Sequence, residues 1–533
     1  MSKDCISFRD TNYFSSLICD YLDEKEALKQ FYNRFPNIEN FKEQIQEKKG
    51  FYSSQHRSNL VKVLENQYDK VNKSNLTKKN IESLSNADTF TITTGHQLNL
   101  FTGPLYFLYK IISTINLTTR LNQTYPDCNF VPVYWMATED HDFVEINYFS
   151  LQNLKLSWNR ESKGAVGGLD TEGLDAVLEA FSRMLGTSPN ANYLKELFRK
   201  AYVEHDNLAE ATRYLANELF GEYGLVILDA DDRELKELFI PYFESEIKDQ
   251  VSFKEVSKTN KKLAKVSNQY TIQVNPREIN LFYLTEDLRQ RITEREAVFS
   301  VMNTKITWTE EDLILEIKSH PERFSPNVLM RPLYQEVILP NLCYIGGGGE
   351  IAYWLQLKSY FNSVSVPFPM LLLRNSALIR TKKQDQKQKK LGITNKDLFL
   401  DKNSFINKKV RSISNIDIDL SPQKEALKTQ FKDLYNLAEL TDKSFLGAVS
   451  AQERKQIKGL ENLEKRLLKA QKKKLADHVS RITEIQNELF PNQNLQERVC
   501  NFSEFYLEYG DRLIPYLIKN LEPLQGEFLV LSL

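Results

Sequence analysis

Four consecutive residues, Glu139, Asp140, His141 and Asp142, crowd three carboxylates and an imidazole at the end of an apolar run, Phe130–Ala137. Such a cluster is costly unless a cation or a positively charged substrate balances it. Its residue types suit a general base, recognition of an ammonium, or ligation of magnesium or zinc, and the pattern leaves these open. The bland alternative is a solvated acidic turn with one helix-capping aspartate. A second segment, Thr94-Gly95-His96-Gln97-Leu98-Asn99-Leu100-Phe101-Thr102-Gly103-Pro104, leads from another apolar run into a helical pattern. Its two glycines let backbone approach a ligand, and Pro104 suits a first helical turn. Free amides and the helix dipole there favour an anion such as phosphate. The segment is neither a Walker loop nor GxGxxG. A third, Gly346-Gly347-Gly348-Gly349-Glu350, opens the helical start Ile351-Ala352-Tyr353-Trp354 and again offers amides to an anion. Asn327, Arg331 and Gln335 fall at helical i, i+4, i+8 spacing, where a guanidinium would grip a carboxylate or phosphate.

These residues need a frame that brings them together. Phe90–Thr94, Phe130–Ala137, Leu225–Asp229, Leu342–Ile345 and Met370–Leu373 are short, apolar and bounded by turn residues, as buried strands are. Between them lie helical patterns at Leu105–Leu121, Tyr193–Phe220, Arg233–Lys258 and Ile351–Phe361. The alternation predicts an α/β fold, a parallel sheet with helices on both faces, over 86–380. Segments 150–190 and 260–325 break the rhythm and read as insertions, the second with extended runs Tyr270–Val274 and Asn280–Leu284. A helical lead occupies 1–85. Ligands of open parallel sheets bind beyond the carboxyl ends of the strands, which is where the three motifs fall.

A chain of 533 residues exceeds one ordinary core and predicts several domains. Its net charge of −1 argues against a general nucleic-acid binder. Cys5, Cys19, Cys128, Cys343 and Cys500 show no CxxC pairing, which speaks against a disulfide framework or a cysteine-rich zinc site. No signal peptide or membrane-length apolar run is evident, so a cytoplasmic location without membrane attachment is expected. Within 381–490, Lys and Arg outnumber Asp and Glu, and narrow apolar stripes run, in the arm expected over 381–500, through Leu427, Phe431, Leu434, Ala438 and Phe445, then Leu460, Leu463 and Leu467. This predicts an α-helical coiled-coil arm, a hairpin turning near Gly447–Gln452 with a break near Lys474, that dimerises. Two amphipathic helices lying on the body are the plainer reading. Residues 501–533 are expected to pack back on the core as a helix and final strand.

Taken together, TG-x-Q-x-x-LFTGPLY, the strand ending EDHDF, NVLMRPLYQE and GGEIAYW resemble the bacillithiol-biosynthesis cysteine-adding enzyme family over nearly the whole chain. The resemblance implies a Rossmann-like core with connecting-peptide insertions, similar to class I aminoacyl-tRNA synthetases, and a coiled-coil domain that makes a homodimer. It implies a ligase joining cysteine to the amine of glucosaminyl-malate. The chain departs from the pattern at His96, where relatives often carry glutamine, and in GGGGE, where GGPGE is common. Gly346, Gly347, Gly349 and Glu350 are therefore the positions that transfer. No KMSKS-like loop is present, and Arg374, ending the fifth strand, is the nearest phosphate contact.

Forming an amide from a free carboxylic acid in water is uphill, so the acid needs activation as an adenylate or acyl phosphate, and ATP with Mg is the expected cofactor. The expectation places ATP phosphates on Thr94, Gly95, Gln97, Thr102 and Gly103, with His96 or Asn99 stabilising developing charge. Glu139, Asp140 or Asp142 would bind the cysteine ammonium or take a proton from the attacking amine. Arg331 and the 346–350 amides would hold the malate carboxylates. Two competing readings are a metal-dependent hydrolase using His96, Asp140, His141 and Asp142, and a nucleotide-binding scaffold for pathway enzymes.

Overall fold

Every residue of Thr89–His96 is buried, including four threonines, because this strand sits at the centre of a parallel sheet with both faces covered. The threonines are satisfied internally: Thr93 donates to Asn341 Oδ1 (2.8 Å) and Thr94 to the Ile345 carbonyl (2.7 Å). The computed structural model describes residues 3–69, 71–441 and 443–533. It divides into two units, Met1–Leu378 with Leu495–Leu531, and Ile379–Asn494 with Ser532–Leu533.

In the first unit the parallel strands are β1 (Thr89–His96), β2 (Asn129–Met136), β3 (Val226–Asp229), β4 (Asn341–Gly346) and β5 (Met370–Leu373), in the order β5-β4-β1-β2-β3. These are the five strands expected from the apolar runs. The chain builds outward from β1 to β3, then crosses to β4 on the other side of β1. The carboxyl ends of β1 and β4 therefore flank the topological switch point, where an open sheet leaves a crevice. Phe90, Ile92, Phe130, Leu342, Ile345 and Met370 pack with Phe41 and Ile45 of the N-terminal helix Phe41–Phe51 and with Leu117 and Leu121 of helix Tyr106–Thr124.

Several elements are finer than their sequence patterns. The pattern over 193–220 is two helices, Pro189–Tyr202 and Leu208–Phe220, because Asn207 caps the second by accepting from the Glu210 amide. That over 233–258 is three helices, with Gln250 at φ 50° turning the chain between Ile240–Asp249 and Val251–Val266. The insertion after β2 carries the hairpin Tyr148–Leu151/Leu154–Ser157 and helix Leu174–Leu185. The later one forms an antiparallel sheet that includes Leu281–Thr285, Leu288–Arg295 and Phe324–Pro326.

Tyr270–Val274, the first of the expected extended runs, joins no ladder among the described residues. The Gln356 side chain takes the ladder's place, accepting from the amides of Gln273 (3.2 Å) and Val274 (3.1 Å) and donating to the Val274 carbonyl (2.7 Å). The N-terminal lead also contains a strand the patterns missed, Lys3–Ser7, paired antiparallel with the last strand, Glu527–Ser532.

In the second unit, helices Ser421–Glu439 and Lys443–Lys474 are clamped by Tyr435–Glu453 (2.7 Å) and Lys424–Glu464 (2.7 Å), pairs whose opposed order makes the hairpin antiparallel. Its seam holds Leu427, Phe431, Tyr435, Ala438 and Val449. The second helix ends at Lys474, at the expected break, and Ala476–Leu489 continues the chain. Gly447–Gln452 does not form the turn; it lies inside Lys443–Lys474, and the first helix already stops at Glu439, capped by Leu440. Among the described residues no helix is long and apolar enough to cross a membrane.

Candidate functional site

A cleft of about 930 Å³ opens at the switch point. It is lined by Gly95, His96 and Gln97 from the end of β1, by Glu139, Asp140, His141 and Asp142 after β2, and by Asn327 and Arg331. Gly347, Gly349, Glu350 and Arg374 complete the part of the lining that the motifs identify. Three loops far apart in sequence are thus one wall each of a single cavity.

Its floor is a charged knot. Lys110, in helix Tyr106–Thr124, donates to the Gly95 carbonyl (2.6 Å) and pairs with Glu350 (2.6 Å). Glu350 also accepts from the Tyr344 hydroxyl (2.6 Å) and the Gly347 amide (2.8 Å). Burial penalises both charges, and each holds the other ionised: Glu350 stays below the usual carboxylate range although burial pushes it up. Gly95 is small for a reason, since a Cβ there would stand 3.3 Å from the Tyr344 hydroxyl and 3.7 Å from Arg331 Nη1. The Arg331 guanidinium lies over the rings of Trp135, Tyr344 and Trp354, at 5.3–5.9 Å from their centroids. Its Nη1 donates to Gln335 (2.9 Å), while Nη2 is buried and, apart from an interaction of the guanidinium with the Tyr353 side chain, has no hydrogen-bond partner among the described residues. Arg374 lies over Tyr106 and binds Glu497 (2.9 Å), leaving its buried Nε without a hydrogen-bond partner among the described residues.

The acidic turn divides into different roles. Glu139 is paired with the fully buried Lys236 (2.8 Å), which also holds Asp231 (2.5 Å). Burial raises the Glu139 pKa and Lys236 opposes that rise. Asp140 accepts from Gln97 Nε2 (2.9 Å) and the His141 amide (2.7 Å). Burial would raise its pKa, but hydrogen bonds from His141 and Gln97 win and hold it well below the usual range. Asp142 faces the cleft more openly, and burial together with the charge of Asp140 pushes its pKa up. Arg289 Nη1 lies 2.7 Å from His141 Nδ1, so that nitrogen accepts.

Asp140, His141 and Asp142 could converge on an ion, and His96 does not belong to that group. A resident metal would have to compete for these groups. Both Asp140 oxygens already accept hydrogen bonds, and the Arg289 guanidinium covers His141 with a positive charge of its own.

Six predicted residues stand outside the cleft lining. Thr94 pins β1 to β4 through the Ile345 carbonyl. Asn99, Thr102 and Gly103 belong to a buried plug: Phe101 inserts among Phe149, Phe181, Phe198 and Phe502 at ring distances of 5.1–5.4 Å. The plug's amides are consumed by the protein, Phe101's by the Tyr202 hydroxyl (2.8 Å), Gly103's by the Leu100 carbonyl (2.9 Å) and Leu105's by the Cys500 carbonyl (2.8 Å). Gly103 has φ +61° and a Cβ there would meet Asn99 Cβ at 2.6 Å, so glycine serves the plug rather than a phosphate. Gly346 is buried at the end of β4, and Gln335 lies behind Arg331. Asn327 precedes the helix Arg331–Ile338 instead of sharing its face, and accepts from the Leu329 amide (2.9 Å). The Gly347 amide is likewise spent on Glu350, which narrows what the glycine run offers an anion.

His96 is buried against Tyr106 and Phe107, with Nε2 unpartnered among the described residues. Burial, then the charges of Lys110 and Arg374, drive its pKa well below 6.5, so the imidazole is neutral. Sequence reasoning missed Lys110, Lys236, Arg289 and Arg291. Lys110 leaves a trace, a lone cation in an otherwise apolar helical run; the arginines sit in the inserted sheet, where no strand-end rule points to them.

Residues 1–375 match the model of a family described as bacillithiol biosynthesis BshC, N-terminal Rossmann-like domain, and residues 377–533 match the C-terminal coiled-coil domain of the same description. The chain is 59% identical to a protein of Christiangramia forsetii, covering 100% of this chain and 99% of that one. It is 58% identical to one of Flavobacterium johnsoniae, covering 100% of both. A protein of Cytophaga hutchinsonii is 38% identical over 98% of this chain and 97% of its own. All three bear the name "Putative cysteine ligase BshC".

Proposed function

Since the chain belongs to the bacillithiol-biosynthesis BshC family in both its Rossmann-like and coiled-coil domains, we propose that it is a cytoplasmic ligase joining the carboxyl of cysteine to the amine of glucosaminyl-malate. The observation that carries this reading is the charge of the cleft. Lys110, Arg277, Arg289, Arg291, Arg331, Arg374 and Arg498 outnumber the carboxylates Glu139, Asp140, Asp142 and Glu350 in its lining. Such a cleft suits polyanionic substrates, with a small acidic corner for an ammonium.

Within it Arg331 Nη2, a buried donor with no protein acceptor among the described residues other than the neighbouring Tyr353 side chain, would receive a malate carboxylate. Asp142 would face the ammonium of cysteine or take the proton of the attacking amine, its raised pKa favouring the second task. Glu139 is spoken for by Lys236. The neutral His96 imidazole can accept a proton or a hydrogen bond at Nε2 but adds no charge. The donors also fit the phosphates of ATP, through the unpartnered Nε of Arg374 and the rim residue Arg498. ATP would supply the free energy and the leaving group for carboxylate activation. Magnesium would arrive with the nucleotide rather than on a protein-built site. The hydrolase and scaffold readings have no support in the family match.

Purified protein given cysteine, ATP and glucosaminyl-malate is expected to release the amide product. Absence both of product and of cysteine-dependent pyrophosphate exchange would overturn the ligase reading.

The homodimer belongs to the same proposal. Leu434, Leu437, Leu440, Phe445 and Leu446 are 38–84% exposed near the closed end of the helical hairpin, an apolar surface suited to a second copy. Sedimentation should show a dimer for the unaltered protein and a monomer for Leu437→Lys/Leu440→Lys. A monomeric unaltered protein would remove the dimer from the reading.

A further inference from the structure

Behind the cleft a buried polar chain ends on Arg331. Lys48 and Glu336 form an ion pair (2.9 Å) in which both side chains are 0% exposed. Glu336 Oε1 accepts from Asn341 Nδ2 (2.6 Å) and from Gln335 Nε2 (3.0 Å). Gln335 is itself buried, and its Oε1 accepts from Arg331 Nη1 (2.9 Å).

An ionised carboxylate can only accept hydrogen bonds, so Glu336 compels Gln335 to turn its NH₂ group inward. The amide oxygen must then face the cleft side, where it holds one arm of the guanidinium and leaves Nη2 for another ligand. The charge on Glu336 is in turn held by Lys48 from the N-terminal helix and by Asn341 at the start of β4. Each link is directional, so the geometry of Arg331 is set by groups that never reach the cleft.

We propose that Gln335 is a positioning residue for substrate capture, oriented by Glu336 and Lys48 so that the free arm of Arg331 meets a carboxylate of glucosaminyl-malate. This rests on the reading of Arg331 as the carboxylate receptor. Gln335→Met keeps the side-chain volume and leaves the Lys48–Glu336 pair intact, so the fold should survive it.

The test is calorimetric titration of glucosaminyl-malate, and separately of cysteine, into the full-length unaltered protein, Gln335→Met, Arg331→Met and the double variant. Arg331→Met should weaken glucosaminyl-malate binding at least tenfold, on the scale of a lost charge-assisted hydrogen bond. Gln335→Met should weaken it about three- to tenfold, the double variant should be no weaker than Arg331→Met alone, and cysteine binding should be unchanged. Glu336→Gln, which lets the Gln335 amide flip, should shift binding in the same direction as Gln335→Met. Unaltered affinity in Gln335→Met beside a weak Arg331→Met would overturn the positioning role and leave the receptor reading standing. Unaltered affinity in Arg331→Met would instead remove the receptor reading itself. Equal losses for both ligands, or losses that multiply in the double variant, would show a general structural role.

Discussion

Lys48→Met is expected to lower the unfolding free energy by about 3–5 kcal/mol, the usual cost of stranding one member of a fully buried ion pair. Both side chains are 0% exposed, so water cannot reach the abandoned Glu336 carboxylate. The lysine also donates to the Glu336 backbone carbonyl (3.1 Å), a bond that methionine cannot replace. The double change Lys48→Met/Glu336→Gln should recover most of the loss, because it removes the second charge while a glutamine oxygen can still accept from Asn341. Denaturant unfolding of the three proteins checks this. A double variant as unstable as Lys48→Met would mean that packing, not the unpaired charge, sets the cost.

This pair shows where sequence reading stops. The strands were legible because a doubly covered strand must be apolar and short, as Phe130–Ala137 and Met370–Leu373 are. The cleft was legible in outline because glycines and charged residues at strand ends have few structural reasons to be there. What one residue does within that outline depends on partners distant in the chain. Thr102 and Gly103 look like parts of a phosphate loop until Tyr202, Cys500 and Asn501 are seen to take up the local backbone groups. Glu139 and Asp142 are alike in sequence, yet Lys236 claims one and leaves the other facing the cleft. Lys48 lies 288 residues from Glu336, and no local spacing connects them. The hairpin turn was misplaced for a related reason: Gly447 marks a weak helix position, but packing along the seam carries the helix through it.

Lys236→Met should reveal the same physics with a pH signature. Lys236 is 0% exposed and neutralises Glu139 and Asp231, whose side chains are 12% and 27% exposed. Its removal leaves two neighbouring carboxylates in a largely dry site, at an expected cost of about 3 kcal/mol near neutral pH. Burial already raises Glu139 above the ordinary 4.5, and without the lysine its folded-state pKa must rise further. A carboxyl whose folded pKa exceeds its unfolded one binds more protons when folded. Its stabilising contribution is complete below the unfolded value and is lost as pH rises through the folded value. The variant should therefore regain midpoint temperature, relative to the unaltered protein, as pH is lowered from about 8 to about 5. Glu139→Gln added to Lys236→Met should flatten most of that pH dependence and restore part of the stability. A deficit that stays constant across the range would show that Lys236 acts through packing, and that Glu139 is neutral or hydrated without it.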